Sequence, residues 1–253
     1  MTLGELLAEL RTNILHERSD LVAGDPDQLW TDATLVNYID AAQRRFARRA
    51  LAIRDNRTPE VTEVTLQTGV TEYVLHQSVL VVVSAKLTDA AADLPRTGHS
   101  TLDVYRAPDT QFFDVNQISL TQPGAPLAYT TDETLGEADD ASFGSVVLRV
   151  YPAPSADYDG TVLRLRVIRM PIERLTPDNL QAVPELPEMH HLEMLDWAAY
   201  LALRVVDVDA GWADRAQEFR ASFEEHAKDA KLTTRQKVHA PVKWQFGQNG
   251  WSW

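Results

Sequence analysis

Residues 32–54 read DATLVNYIDAAQRRFARRALAIR, and apolar side chains recur in this stretch every three or four residues. The recurring positions are Leu35, Ile39, Ala42, Phe46, Ala50 and Ile53. This spacing places them on one face of a helix and predicts a long amphipathic α-helix from about Asp32 to Arg54. Such a face needs other helices to cover it, and candidate helices lie at both ends of the chain.

The first residues predict one of these helices. Thr2 and Glu5 fit a capping box, in which each side chain accepts a hydrogen bond from an unpaired N–H at the helix start. The apolar residues that follow at helical spacing are Leu3, Leu6, Leu7, Leu10 and Ile14. Residues 19–31 contain Gly24-Asp25-Pro26 and are typical of a loop.

The C-terminal third predicts two more helices. The first stripe, preceded by Pro187 at a favourable first helical position, is Leu192, Leu195, Ala199, Ala202 and Val206. The second, for which Asp209 can act as the cap, is Trp212, Ala216, Phe219, Phe223 and Ala230. Because only a few residues join the two helices, they should pack as an antiparallel hairpin.

Between these helices the pattern is that of β-strands. The predicted strands are Val61–Leu66, Thr71–Leu75, Val79–Leu87, Leu127–Thr131, Val146–Tyr151 and Thr161–Met170, with a turn at Thr68-Gly69 and a short helix at Ser100–Arg106. In the last strand Leu163, Leu165 and Val167 alternate with Arg164 and Arg166, which predicts one buried and one solvated face.

These patterns predict an α+β fold. A helical bundle is built from the N- and C-terminal helices, with an inserted β-rich segment and an extended C-terminal arm. The expected units are the N-terminal helices of the bundle at 1–58, the β-rich domain at 59–175, the C-terminal helical hairpin at 176–232 and the arm at 233–253.

Charge is distributed unevenly along the chain. The 253 residues carry a net charge of −13 and include no cysteine, which excludes disulfides and thiolate sites. After Asp229 there is no acidic residue, and Lys231, Arg235, Lys237 and Lys243 give the last 24 residues a charge of +4. The acidic body is a poor partner for free duplex DNA. We see neither a secretion signal nor an apolar run long enough for a membrane span.

One dense group of candidate acid–base or ligand residues precedes the C-terminal helices: Glu188, His190, His191, Glu193 and Asp196. His190 and Glu193 are three residues apart and share a face if the segment is helical. A hydrolase using Glu188, His191 and Glu193 is one interpretation. The other is a polar face at a helix start, where acidic residues favour the helix dipole. The chain has no HExxH, nucleophile-elbow, Walker or dinucleotide motif, so we expect no metal, no cofactor and no enzymatic activity.

A basic patch lies on the predicted long helix and just beyond it: Arg44, Arg45, Arg48, Arg49, Arg54 and Arg57. These side chains can contact phosphates of passing DNA. The interpretation we favour is that they pair with acidic residues, within the chain or in an adjacent subunit.

The segment PVKWQFGQNGWSW, residues 241–253, holds three of the six tryptophans and shows no helical or strand period. Burying each ring contributes ~4–6 kcal/mol gross, from ~150–250 Å² at ~25 cal/mol/Å². Ordering the backbone costs ~1–2 kcal/mol per residue, so the segment gains little by folding alone. Docking on a partner is the favoured interpretation, and folding back over its own domain is the alternative. The docking residues would be Lys237, Lys243, Trp244, Phe246, Trp251 and Trp253.

Three stretches together resemble the adaptor, or head–tail connector, family of tailed and especially short-tailed bacteriophages. The first is LWTDATLVNYIDAAQ at 29–43. The second is a strand ending VYPAP at 150–154, followed by a strand ending RMP at 169–171. The third is LPEMHH at 186–191, leading into DWAAYLA at 196–202 and a helix with Phe219 and Phe223.

The resemblance implies a structural protein of the virion, made in the host cytoplasm. About twelve copies would form a ring below the portal, and the C-terminal segment would embrace the portal protein. The other face would receive tail proteins of the nozzle or tail tube, and genomic DNA would pass through. The alternatives are another tail-completion or capsid-associated protein, and a cell-wall hydrolase built on Glu188, His191 and Glu193.

Overall fold

The computed structural model describes residues 1–16, 29–88, 90, 92–94, 96, 123–133, 144–205 and 210–238. Its helices are α1 (Leu3–Glu9, continued by a π-helical turn at Leu10–Ile14), α2 (Asp32–Ala50), α3 (Pro59–Thr62), α4 (Leu195–Val205) and α5 (Ala210–Val238), with 3₁₀ turns at Ala156–Tyr158 and Glu188–His190. Its strands are β1 (Arg54–Asp55), β2 (Glu63–Thr65), β3 (Glu72–Val74), β4 (Val79–Leu87), β5 (Ala128–Glu133), β6 (Val146–Tyr151) and β7 (Val162–Arg169). The α+β class is confirmed.

Some of the sequence-based predictions concern residues outside these ranges. The helix at Ser100–Arg106, the cap at Asp209 and everything after Val238 lie outside the described residues.

Local capping explains where the first two helices begin. The capping box of α1 is present: the Thr2 side chain accepts from the Glu5 N–H, and the Glu5 side chain accepts from the Thr2 N–H. The side chain of Thr31 accepts from the Thr34 N–H at 3.2 Å and caps α2. Helix α2 ends at Ala50 and not at Arg54 as predicted, because Leu51 adopts a left-handed conformation with φ 54°.

The helices of both chain ends share one hydrophobic core. Helix α2 packs on α4 and α5, and Phe46 of α2 meets Phe223 of α5 edge to face, with ring centroids 5.7 Å apart. Trp30 is buried beside Trp212 and donates its indole N–H to the carbonyl of Ala202. Asp196 lies near Ser222, whereas Tyr200 lies near Arg220, so α4 and α5 run antiparallel.

The segment before α4 differs from the expectation. Pro187 precedes the short 3₁₀ turn at Glu188–His190, and α4 itself begins only at Leu195. Leu192, predicted to lie on the buried stripe, therefore precedes the helix and is 51% exposed. Helix α5 continues to Val238, so residues 233–238, predicted as the start of an extended arm, are helical.

The inserted strands form two antiparallel sheets. In the first, β7 pairs with β1 and β2 and also with β4. In the second, the order is β3-β6-β5. The predicted alternation in β7 is confirmed, because Leu163, Leu165 and Val167 are buried in a second hydrophobic core while Arg164 and Arg166 face solvent. The predicted strand Val61–Leu66 is wrong at its start, where Pro59–Thr62 forms α3.

A buried ionic network joins the strands to the helices. Arg169, the last residue of β7, donates from Nε to Asp55 at 2.7 Å and from Nη1 to Glu185. The Glu185 N–H donates to the side-chain oxygen of Gln43 on α2. Burial alone would raise the pKa of Asp55. Hydrogen bonds from the Thr58 hydroxyl, the Arg57 N–H and Arg169 outweigh burial and hold that pKa far below its ordinary value.

Candidate functional site

A groove lies near the C-terminal end of α5. Its volume is about 390 Å³. Residues 52–54 form one wall, residues 185–187 with Met189 and His190 form the second, and Ala230, Thr233 and Thr234 of α5 form the third. Most of these side chains are apolar, so the groove suits a hydrophobic side chain with a few polar contacts at its edges.

Two polar contacts fix the walls of the groove. Arg54 donates from Nη2 to the Thr234 carbonyl at 2.6 Å and so ties β1 to the last turns of α5. His190 Nδ1 lies 2.6 Å from a carboxylate oxygen of Glu193, and its ring lies 5.1 Å from that of Phe46. His190 and Glu193 are therefore paired, although they lie in and just after a 3₁₀ turn and not on a shared face of an α-helix. This contact holds the imidazole of a buried histidine at the groove wall.

Each of the three residues of the hydrolase interpretation contacts a different partner. The Glu188 side chain is 81% exposed and lies 3.3 Å from the N-terminal amine of Met1. His191 is buried, with Nε2 2.9 Å from the Leu186 carbonyl, and burial lowers its pKa. Glu193 is engaged by His190. Within the described residues, moreover, no three His, Asp or Glu side chains are grouped to hold a metal.

Asp196, the fifth member of that sequence cluster, belongs to the contact between α4 and α5. Its carboxylate accepts from the Ser222 hydroxyl at 2.7 Å and lies 3.2 Å from His226 Nδ1. Burial raises the pKa of Asp196, and the contacts with Ser222 and His226 offset only part of that effect. This carboxylate therefore helps to join two helices.

The basic residues of α2 are largely matched by carboxylates of the same chain. Arg44 pairs with Asp40 at 3.1 Å, and Arg45 and Arg49 bind the two oxygens of Glu224 on α5. Although burial favours the neutral carboxyl, hydrogen bonds and charge from Arg45 and Arg49 lower the pKa of Glu224. Arg48 lies on the exposed side of α2. Pairing within the chain, the interpretation favoured from sequence, accounts for Arg44, Arg45 and Arg49.

The predicted docking residues lie on both sides of the C-terminal end of α5 in the sequence. Lys237 lies in the last turn of this helix, which ends at Val238. Lys243, Trp244, Phe246, Trp251 and Trp253 lie outside the described residues. The last turns of α5 line the groove at Thr233 and Thr234, so the aromatic segment follows a few residues after it.

Sequence reasoning did not find the groove. Its walls come from three segments, around residues 53, 187 and 232, that are adjacent only in the folded chain. The signal for it in the sequence is a set of apolar residues that belong to none of the predicted helical stripes. Met189 lines the groove and is 64% exposed, and Val183 nearby in sequence is 60% exposed.

The chain belongs to a family of phage head–tail adaptors. The family model described as SU10 adaptor protein matches residues 1–245, which include both helical ends, the β insertion and the start of the aromatic segment. This confirms the family predicted from the three stretches. No functionally curated protein matches the sequence. No helix among the described residues has the length and apolar character needed to cross a membrane.

Proposed function

We propose that this chain is a non-enzymatic adaptor subunit of a phage virion, located at the head–tail junction. About twelve copies form a ring below the portal, and the ring carries tail proteins and leaves a passage for DNA. Its family membership supports the adaptor role. The acidic body of the chain supports the passage, because a negatively charged ring repels the phosphate backbone instead of holding it.

The observation that supports the docking proposal is that the helices of both chain ends bury one another's apolar faces in one core. Among the described residues, its buried members run from Leu3 to Ile53 and from Leu175 to Ala230. On this proposal Trp244, Phe246, Trp251 and Trp253 are the anchors that enter grooves of the portal protein, since buried aromatic side chains dominate many interfaces. Lys237 and Lys243 steer the segment to an acidic surface, an effect that weakens with added salt.

Removal of residues 241–253 tests this proposal. We expect the truncated protein to lose capture by purified portal rings while its melting temperature changes by only a few degrees. Changing the four aromatic residues to alanine at full length should act in the same way, mainly by faster dissociation. The matched control changes Gln245, Gln248 and Asn249 to alanine, which keeps length, charge and rings.

Two results would contradict the proposal. Unchanged portal capture by the truncated protein would show that docking uses another surface. A melting temperature lowered by more than about ten degrees would correspond to a loss of several kcal/mol. The segment would then be part of the chain's own folded core.

A further inference from the structure

We propose that the solvent-facing side of the ladder between β4 and β7 binds the exposed face of α5 in a second copy of this chain. Because the contact joins two different surfaces, a pair of copies still has one of each surface free, and further copies can add head to tail. The inference deepens the proposed ring by naming the surfaces through which neighbouring subunits meet, and to that extent it rests on the proposed function.

The first surface is a row of cations on the outer face of the sheet. The register of the ladder places Lys86 of β4 directly opposite Arg164 of β7, and Ser84 opposite Arg166. The Arg164 side chain is 64% exposed and lies 3.5 Å from Glu63 on β2. In the part of the chain that the structure describes, Lys86 and Arg166 form no ion pair. Since cations placed opposite one another in a ladder repel, this face keeps a positive charge that its own chain does not balance.

Helix α5 exposes a row of carboxylates that also lack partners. At about 100° per residue the four side chains fall within about 60° of the helix circumference, opposite the buried Phe223. Like charges four residues apart on a helix repel, and this spacing occurs twice in the row. Lys228, on the same side of the helix, offsets one of the four charges. None of the four forms an ion pair with another described residue; they are Asp214, Glu218, Glu225 and Asp229.

The spacing of the charges on the two surfaces is compatible. Arg164 and Arg166 are two residues apart on a strand, a distance of about 7 Å. Glu218 and Glu225 are seven residues apart on a helix, a distance of about 10 Å, and the long arginine side chains can cover the difference. The exposed Ala221 lies between the two glutamates on the same face, so a small side chain separates the helix from the approaching strand.

A second copy is favoured over nucleic acid as the occupant of the basic row. The chain has a net charge of −13, so duplex DNA approaches it against repulsion, and a short row of cations neutralises few phosphates. A second copy instead brings an unpaired acidic row, and the contact relieves the repulsion within both rows. Because exposed ion pairs contribute little individually, the contact is weak in the free protein and becomes effective when many copies are held side by side.

The absence of cysteine from the chain allows a direct test by cross-linking. Ser84→Cys with Ala221→Cys places one thiol beside each row without changing a charge. In low salt, where charge attraction is least screened, a short bismaleimide should convert the free double variant at about 100 µM into a ladder of dimers, trimers and larger species. Each single variant should give at most a trace of dimer. The matched control, Asn179→Cys with Ala221→Cys, uses a neutral exposed position in the segment before α4 and should give no ladder.

Charge reversal distinguishes the contact from a general loss of folding. Arg164→Glu with Arg166→Glu should reduce the ladder about fivefold or more, as should about 0.5 M NaCl. Adding Glu218→Arg with Glu225→Arg to the same chain should restore the ladder, because the two rows are then complementary again with exchanged signs.

Three results would overturn the contact: no ladder from the Ser84→Cys, Ala221→Cys variant in low salt, a ladder unchanged by the reversal at Arg164 and Arg166, or no recovery in the fourfold variant. Loss of duplex DNA binding on that reversal, with the ladder unchanged, would assign the basic row to phosphate instead. None of these measurements uses the portal, so a failure of portal docking through residues 241–253 would leave their outcome unaffected.

Discussion

Arg169 is a buried arginine that contacts two carboxylates. Its guanidinium pairs with both Asp55 and Glu185 at the junction between strands and helices. We expect Arg169→Met to destabilise the protein by about 3–5 kcal/mol, because it leaves two carboxylates without their cation in a poorly solvated site. Urea unfolding monitored by circular dichroism measures the loss. Arg164→Met on the same strand is the control: this residue is 64% exposed, lies 3.5 Å from Glu63 and should change stability by about 0–1 kcal/mol.

The same junction makes the stability of the fold depend on pH. The pKa of Asp55 is lower in the folded chain than its ordinary value of 3.8, so the unfolded chain binds this proton more tightly. The contribution of Asp55 is therefore complete at neutral pH and is lost as pH falls from about 4 toward the folded-state pKa. Asp55→Asn should be less stable than wild type at pH 7, and the difference should shrink between pH 4 and pH 2. A constant difference over that range would contradict the assignment.

The loss of stability caused by substitutions in the 188–193 cluster should depend on how deeply each side chain is buried. Glu188→Ala and Glu193→Ala change partly or largely exposed side chains and should alter stability by about 0.5 kcal/mol or less. His191→Ala should cost about 1–3 kcal/mol, because it removes a buried hydrogen bond to Leu186. Virion assembly should continue in all three variants. Normal particles with infectivity reduced by orders of magnitude would instead support a hydrolase.

Helix α5 carries two aromatic residues that differ in burial. Phe223 is fully buried against Phe46 and Trp197, whereas Phe219 is only partly buried. Phe223→Ala should therefore cost about 3–5 kcal/mol, and Phe219→Ala clearly less. Denaturant midpoints of the two variants provide the test, and equal losses would mean that α5 does not pack on α2 through this face.

Helices and strands could be predicted where a repeating pattern coincides with a local signal, as in the capped α1 and the alternating β7. The ends of helices and strands that lack such a signal are predicted less accurately. Ile53 continues the helical spacing of α2 past Leu51, where the backbone turns left-handed without the glycine that usually marks such an end. Leu192 fits the spacing of α4 but precedes it, because a 3₁₀ turn intervenes.

The candidate site was less predictable than the elements for a physical reason. The groove and the Arg169 junction depend on contacts between distant segments, such as Asp55 with Arg169 and Arg54 with Thr234. Local periodicity carries no information about which distant side chains will meet. The aromatic segment was recognisable because composition alone sets it apart, and its partner is still a prediction.

At the scale of the whole molecule, the proposed affinity of the arm determines how copies associate. On the docking proposal, one arm would bind its partner moderately, and many arms acting together on one portal ring would bind far more strongly. We therefore expect the isolated chain to be a monomer or weakly associated and to assemble only on the portal. Light scattering at micromolar concentration checks this expectation. A stable ring in the absence of portal would contradict it.

The pairing of β1 with β7 has a consequence for how such chains can diversify. Arg54 opposes Ile168 across an antiparallel ladder, so the chain leaves the helical core and re-enters it at almost the same point. The entropy cost of closing an insertion rises only slowly with its length when its two ends lie side by side. The residues between them can thus be lengthened, shortened or exchanged for another small fold while α2 and α4 keep their contacts. In this architecture a change in the length of the insertion leaves the ends of the helical core where they are.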